Sequence, residues 1–210
     1  MRQGLTCSSL GRSDICPVQE IAATRISTNS VFGGPSAGLI SGGVGSYYFA
    51  LFVGPVSVTN VPSGPAPYDP TLYGFTFTGD IGTNTANAGR FNGNPGTDMA
   101  VVPGYAIGSS ANFTVVGWSS NIGRTWAEAE TSLNYFFSNA SGPVFWGNSQ
   151  VATGIQLGGG ILPFGYIFGA NPGQITGFTL QMQVPEPSSL SFLGLALGLY
   201  VFRLNRGKSR

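Results

Sequence analysis

The chain has 210 residues and a formal net charge of +1, and 42% of its residues are hydrophobic but only 8% are charged. It has no histidine, which argues against a Ser-His-Asp triad, a Cys-His dyad and a histidine-based zinc site. Before residue 184 it has no lysine and no basic cluster, so we predict no nucleic-acid partner.

Residues 1–25 are polar and aperiodic, and we interpret them as an irregular leader. They contain no apolar run of about 7–15 residues after a basic start, so they do not form a secretory signal peptide. The two cysteines, Cys7 and Cys16, have two interpretations. They would close a small disulfide loop in an oxidising compartment, or they are unpaired thiols.

Between residues 26 and 183, apolar runs alternate with glycine, serine, threonine, asparagine and proline, a pattern typical of strands joined by turns. The aromatic and aliphatic run Ser46–Val53 predicts a strand buried on both faces, and Met99–Ile107 predicts a bent or edge strand. Residues 62–70 and 79–96 are predicted to be loops. The other predicted strands are Leu72–Thr78, Ala111–Trp118, Val151–Leu157 and Ile175–Gln183.

One segment, Trp126–Phe137, has a helical pattern. Thr125 and Glu128 have the spacing of a capping box, and Trp126, Ala129, Leu133 and Phe136 fall on one face. We therefore predict an all-β, β-sandwich or jelly-roll-like domain with one short helix over residues 26–183. Residues 184–210 follow it and contain a single hydrophobic helix.

Candidate chemistry in the domain is sparse. Glu128 and Glu130 are closely spaced, but positions i and i+2 of a helix diverge, so they are poorly placed as the opposed carboxylates of a glycosidase. Either would need a partner such as Asp80 or Asp98. The oxygen-rich loop 79–98 has the ligand type of a calcium site but lacks the D-x-[DN]-x-[DN]-G pattern, so we predict turns, no metal and no cofactor.

Aromatic residues are the other candidates. Trp118, Trp126 and Trp146, with Tyr105 and Tyr135, have the side chains of a carbohydrate-stacking surface. The alternative is that these rings fill the core, since a β domain of this size needs large apolar side chains.

The C-terminal segment has three parts in order: Val184-Pro185-Glu186-Pro187, the apolar run Leu190–Phe202, and a basic end. As a helix, the run would rise about 20 Å against a hydrocarbon core of about 30 Å. It is therefore a buried core helix, a short permanent anchor or a transient processing signal. In the last two cases the basic end stays cytoplasmic and the body lies outside. The basic residues are Arg203, Arg206, Lys208 and Arg210.

These residues resemble the PEP-CTERM sorting domain of bacterial exported proteins, although Leu204 and Asn205 interrupt the basic cluster. The resemblance implies recognition of Val184 to Pro187 by an exosortase, a membrane transpeptidase, and removal of the tail at or near that motif. It also implies export to the cell envelope of a bacterium that makes extracellular polysaccharide. Such proteins need an N-terminal export signal, so we expect either that the natural start lies upstream or that about the first 20 residues are out of frame, and our hypothesis is a misplaced start.

The expected function is that of an exported, non-enzymatic cell-surface or extracellular-matrix protein with two partners, the exosortase and, through its C-terminal helix, the membrane. The alternative is a carbohydrate-binding module for extracellular polysaccharide. A third hypothesis, from another class, is a glycosidase.

Overall fold

The computed structural model describes residues 25–29, 37–62, 66–93, 100–159 and 161–183, and the backbone of a strand at 14–16. The rest of the leader, including Cys7, lies outside the described residues. So do the Pro-Glu-Pro motif, the predicted C-terminal helix and the basic end.

The described residues are mostly strands joined by turns, with one α-helix, α1 (Trp126–Asn134), and two short 3-10 turns, Pro70–Tyr73 and Ser120–Ile122. The all-β class with one short helix is therefore confirmed. The strands are β1 (Asp14–Cys16), β2 (Ser27–Thr28), β3 (Gly38–Leu39), β4 (Tyr47–Gly54), β5 (Thr76–Asn84), β6 (Phe91–Asn92), β7 (Ala100–Val101), β8 (Ser110–Ser119), β9 (Val144–Asn148), β10 (Ala152–Gln156), β11 (Gly165–Tyr166) and β12 (Thr179–Gln183).

Nine strands form one sheet in the order β3-β2-β12-β9-β8-β4-β5-β6, with β10 pairing beside β9 on the same side of β8. The sheet curls until its two sides meet. The Gly89 N–H donates to the Ile40 carbonyl at 2.9 Å, and the Ile26 N–H donates to the Gly89 carbonyl at 3.0 Å. A small second sheet has the order β11-β1-β7.

The central strands β4 and β8 are buried on both faces, which explains their nearly continuous apolar sequences. In β4, Phe49, Leu51 and Val53 point into a first core cluster, which also includes Ala100 of the small sheet. Ala50 and Phe52 point into a second cluster on the opposite face, which α1 covers. The predicted strand Ser46–Val53 and its burial on both faces are therefore confirmed.

A pair of glycines lets the strands pack closely at the middle of the sheet. Gly117 of β8 and Gly147 of β9 are directly opposite each other. A Cβ on Gly117 would lie 2.8 Å from Leu180 Cδ2, and one on Gly147 would lie 2.9 Å from the same atom. The Leu180 side chain, which is fully buried, therefore occupies the space that side chains at these two positions would need.

Two of the other predicted strands, Ala111–Trp118 and Val151–Leu157, are confirmed within a residue or two. Three predicted strands are only partly correct. The strand predicted at Ile175–Gln183 starts at Thr179, and the one at Met99–Ile107 is a strand only at Ala100–Val101 in its described part.

The third partly correct prediction is Leu72–Thr78, where residues 70–73 form a 3-10 turn. The Asp69 carboxylate accepts a hydrogen bond from the Thr71 N–H, Pro70 starts the turn, and Gly74 ends it at φ 85°. Strand β5 then runs from Thr76 into the predicted loop as far as Asn84. The capping hydrogen bond of Asp69 thus stabilises a turn at residues 70–73, and the strand begins later than the apolar pattern predicted.

Part of the predicted leader is also a strand. Asp14–Cys16 pairs with β11 in parallel and with β7 in antiparallel orientation. Backbone pairing places these residues within the small sheet, which their polar, aperiodic sequence did not predict.

Candidate functional site

The last residues that the structure describes form strand β12, and the predicted recognition motif follows them in the sequence. Strand β12 ends at Gln183, whose Cα partner is Val144, the first residue of β9. Both residues are buried, with Gln183 5% exposed and Val144 0% exposed. The predicted recognition motif, which begins at Val184, therefore follows an interior strand directly.

Side-chain hydrogen bonds hold β12 in place on its other side. The Asn29 carboxamide Nδ2 donates to Gln181 Oε1, and the Met182 N–H donates to Asn29 Oδ1 at 2.9 Å. The hydroxyls of Ser27 and Thr179 are 2.7 Å apart. Strand β12 lies between β2 and β9, so hydrogen bonds fix the strand on both sides up to the residues that precede the tail in the sequence.

The three tryptophans predicted as carbohydrate contacts are core residues. Trp118 and Trp146 are 0% exposed and Trp126 is 6% exposed. The Trp118 indole N–H donates to the Gly123 carbonyl at 2.9 Å, and that of Trp146 donates to Asn148 Oδ1 at 2.7 Å. Their rings pack against one another and against Phe52 and Phe137, so the prediction that these indoles form a stacking surface is wrong and the core alternative is correct.

Of the two tyrosine candidates, only Tyr135 is well exposed, at 63%. Tyr105 is half-buried and packs against the first core cluster. Tyr135 is followed by Phe136, which is 75% exposed. These two rings lie just after the end of α1, in a connection to β9 that has no charged residue from 135 to 143.

The capping box at the start of α1 is confirmed. Thr125 Oγ1 accepts from the Glu128 N–H at 3.3 Å. Glu128 Oε2 in turn accepts from the N–H groups of Arg124 at 2.7 Å and Thr125 at 3.1 Å. The hydrogen bond from Arg124 N–H, followed by those from Thr125, lowers the pKa of Glu128.

An open cleft of about 480 Å³ lies beside this helix start and is lined by Ile122, Gly123, Ala127, Glu128, Thr131, Ser132 and Asn139. Glu128 is the one ionisable side chain in that lining. Its Oε2 already accepts hydrogen bonds from two backbone N–H groups. The other polar side chains of the lining are hydroxyls and one carboxamide, so the lining does not provide a carboxyl pair that could act as acid and base.

The structure places the carboxyl groups of Asp69 and Glu130 close enough to interact, which no local pattern in the sequence predicted. Asp69 is buried and accepts hydrogen bonds from the Thr71 N–H at 2.8 Å and the Thr71 hydroxyl at 2.7 Å. Burial raises the pKa of Glu130 on α1, and the charge of Asp69 and a side-chain hydrogen bond with Asp69 raise it further. No local signal in the sequence links the two, because they are 61 positions apart.

The predicted loop 79–96 is wrong in its first part, which belongs to strand β5. Asn84 is 1% exposed, its Oδ1 accepts from the Tyr47 N–H at 2.9 Å, and its Nδ2 donates to the Gly43 carbonyl at 3.0 Å. Asn94 and Asp98 lie outside the described residues. Within the described part of the chain, no group of three or more acidic or cysteine side chains has the arrangement of a metal site.

The described helical residues include no helix with the length and hydropathy required to cross a membrane. Comparisons of the chain with protein-family models, with curated proteins and with solved structures found no match.

Proposed function

We propose that the chain is an exported, non-enzymatic cell-surface or extracellular-matrix protein that an exosortase sorts and processes through residues 184–210. The observation that carries this proposal is the order of the tail: Pro-Glu-Pro, a 13-residue apolar run from Leu190 to Phe202, and a basic end. Each part has a physical role. The motif is the recognition element, the apolar run docks in the membrane, and the basic residues keep the end cytoplasmic.

The arrangement of the domain supports this proposal. The domain ends in an interior strand that is hydrogen-bonded on both sides, at β2 and β9. A processing enzyme that recognises residues 184–187 would therefore act at the margin of a folded domain and release it intact. The finer assignment of this domain as a β-sandwich or jelly roll also remains our proposal, supported by the first core cluster, which contains residues of both sheets.

The test compares processing in producing cells with and without their exosortase. Glu186→Ala changes the centre of the motif, and Ser188→Ala is a matched control next to the motif. We expect wild type and Ser188→Ala to reach the cell surface in a shortened form. Glu186→Ala, and wild type in cells without the enzyme, should stay full-length in the inner membrane. Full-length wild-type protein in both kinds of cell would contradict the proposal.

A second candidate function, binding of extracellular polysaccharide, is favoured by Tyr135 and Phe136. Their exposed rings, at 63% and 75%, have the flat apolar faces that pyranose rings stack on. The connection that carries them has no charged residue, so a neutral polymer would meet no unpaired charge there.

This second proposal is tested with purified extracellular polysaccharide from the producing strain, by calorimetric titration of the full chain. Tyr135→Ala should weaken binding. Tyr166→Ala is the control. Tyr166 is also an exposed tyrosine, at 55%, but it belongs to β11 and not to the connection that carries Tyr135 and Phe136. Equal binding by wild type and Tyr135→Ala would contradict a carbohydrate site at this position.

A further inference from the structure

The end of the curled sheet at which β12 finishes, and after which the tail begins in the sequence, is here named the exit edge. Gln183 is paired with Val144. The preceding Pro143 carbonyl accepts from Asn121 Nδ2 at 3.0 Å, and the Ser120 N–H donates to the Ser46 carbonyl at 2.9 Å. The exit edge therefore consists of Gln183, residues 141–144, residues 120–121 and the turn 41–46. The turn between β5 and β6, which contains Arg90, lies beside it, since Asn84 Nδ2 donates to the Gly43 carbonyl at 3.0 Å and the Gly89 N–H donates to the Ile40 carbonyl at 2.9 Å.

The opposite end of the sheet, here named the far end, lies at the start of β8. Gln156 of β10 pairs with Ser110, and the chain on either side of this pair carries exposed apolar residues. Ile107, Ile161 and Leu162 are 40%, 101% and 38% exposed. The far end is thus at least as apolar as the exit edge, and apolarity alone does not select which end meets a membrane.

The length of the spacer between Gln183 and the apolar run determines which end of the sheet meets the membrane. Residues 184–189 separate Gln183 from the apolar run, and the seven backbone steps from Gln183 to Leu190 span at most about 24 Å. Strand β8 has 10 residues, and its nine backbone steps span about 30 Å. If the far end touched the bilayer with the strands perpendicular to it, Gln183 would lie farther from the surface than the spacer reaches.

The composition of the exit edge suits contact with a lipid surface. Residues 41–46 and 141–144 are Ser-Gly-Gly-Val-Gly-Ser and Ser-Gly-Pro-Val, with no charged side chain. Small residues let the backbone approach a flat surface closely. Val44 projects from the turn with 70% of its surface exposed, and an exposed aliphatic side chain gains free energy on entering the headgroup boundary.

We propose that the exit edge lies against the bilayer surface before processing, with Val44 in contact with lipid and the far end pointing away; this orientation rests on the proposed function of the tail. It follows that a membrane-embedded processing enzyme meets residues 41–46 and 141–144 together with the motif. The far end stays free for partners outside the cell.

The test uses the full chain bound to phosphatidylethanolamine–phosphatidylglycerol vesicles. A diazirine photocrosslinking amino acid replaces Val44 in one version and Ile161 in another. Both positions are exposed, so neither substitution removes core packing. Sedimentation with the vesicles first reports whether the tail docks, and mass spectrometry after irradiation then reports which position carries lipid. A third version of the Val44 probe has a flexible Gly-Ser insert of about 12 residues between Gln183 and Val184.

We expect lipid adducts several-fold more abundant at position 44 than at position 161, and a several-fold decrease at position 44 with the longer spacer. Adducts at position 161 that equal or exceed those at position 44 on sedimented vesicles would overturn the orientation while leaving the tail's membrane docking intact. An unchanged yield with the longer spacer would also overturn it. A chain that does not sediment would refute the docking role of the tail, and the orientation with it.

Discussion

Phe136 and Phe137 are adjacent and both have positive φ, at 49° and 57°, yet Phe136 is 75% exposed and Phe137 is 3% exposed. Phe137 packs against Trp146 with ring centroids 5.6 Å apart. Left-handed backbone is unfavourable for bulky residues. The contact of Phe137 in the core therefore holds both residues in a strained conformation just after α1.

Substitution of these two residues by asparagine separates strain from packing, because asparagine tolerates left-handed backbone. Phe136→Asn should leave the free energy of unfolding unchanged or raise it by up to about 1 kcal/mol. Phe137→Asn should lower it by about 3 kcal/mol or more, since it empties a core position and buries an amide. Urea unfolding of the full chain measures both. Equal destabilisation by the two changes would refute this account of the turn.

The raised pKa of Glu130 predicts a specific pH dependence of stability. Its contribution is fully present below the ordinary value of 4.5 and is lost as the pH rises through the raised value in the folded state. Glu130→Gln keeps a donor toward Asp69 without a charge. The free energy of unfolding of this variant, measured from about pH 4 to about pH 8, should lose that decline.

Glu128→Gln is the matched comparison, because the pKa of Glu128 is lowered. Its contribution to stability is present above 4.5 and is lost on acidification, so this variant should be less stable than wild type at neutral pH and should flatten the acid side of the curve. If Glu130→Gln keeps the wild-type slope, the decline in stability with rising pH belongs to another group.

Tyr68 predicts an alkaline transition. Burial raises its pKa to about 12, and a nearby Thr114 hydroxyl lowers it in part. The neutral phenol therefore stabilises the fold below pH 10, and this contribution is lost as the pH rises through about 12.

Tyr68→Phe should remove this alkaline loss. It should cost little at neutral pH, because the buried hydroxyl has no hydrogen bond of ordinary geometry. Thermal unfolding at neutral and alkaline pH tests the prediction, with Tyr135→Phe as the control at an exposed ring. An alkaline transition of unchanged size in Tyr68→Phe would assign the loss to another group.

Two glycines with positive φ separate backbone strain from steric clash. A Cβ on Gly123 would lie 2.3 Å from Glu128 Cβ, whereas one on Gly142 would have no atom within 4 Å. Gly142→Ala should lower the free energy of unfolding by about 1–2 kcal/mol through backbone strain alone. Gly123→Ala should lower it further and disrupt the capping box. Both losses are measured by urea unfolding. Similar losses for the two variants would show that Glu128 and the start of α1 shift to accept the new Cβ with no further loss of stability.

The sequence predicted features that depend on neighbouring residues. Burial of β4 on both faces follows from its continuous apolar run, and the capping box follows from Thr125 and Glu128, three positions apart. The predicted helical face is correct for Trp126 and Ala129. It is wrong for Phe136, because the helix ends at Asn134 and the following backbone turns Phe137 inward instead.

Features that depend on distant residues were not predictable in the same way. The tryptophan pattern alone did not distinguish a core from a stacking surface, because both use the same side chains. The influence of Asp69 on the pKa of Glu130 depends on the fold bringing together residues that are 61 positions apart. The two-residue strands β2, β3 and β6 are too short to show a period, and their pairing depends on the curl of the sheet.

The role of residues 184–210 as a processing signal is tested by the intact mass of wild-type protein isolated from the envelope of the producing cell. We predict a mass that ends at or near Pro185-Glu186-Pro187 and lacks the apolar run and the basic end. A mature mass that still includes Arg210 would contradict the claim and would make residues 184–210 a permanent part of the protein.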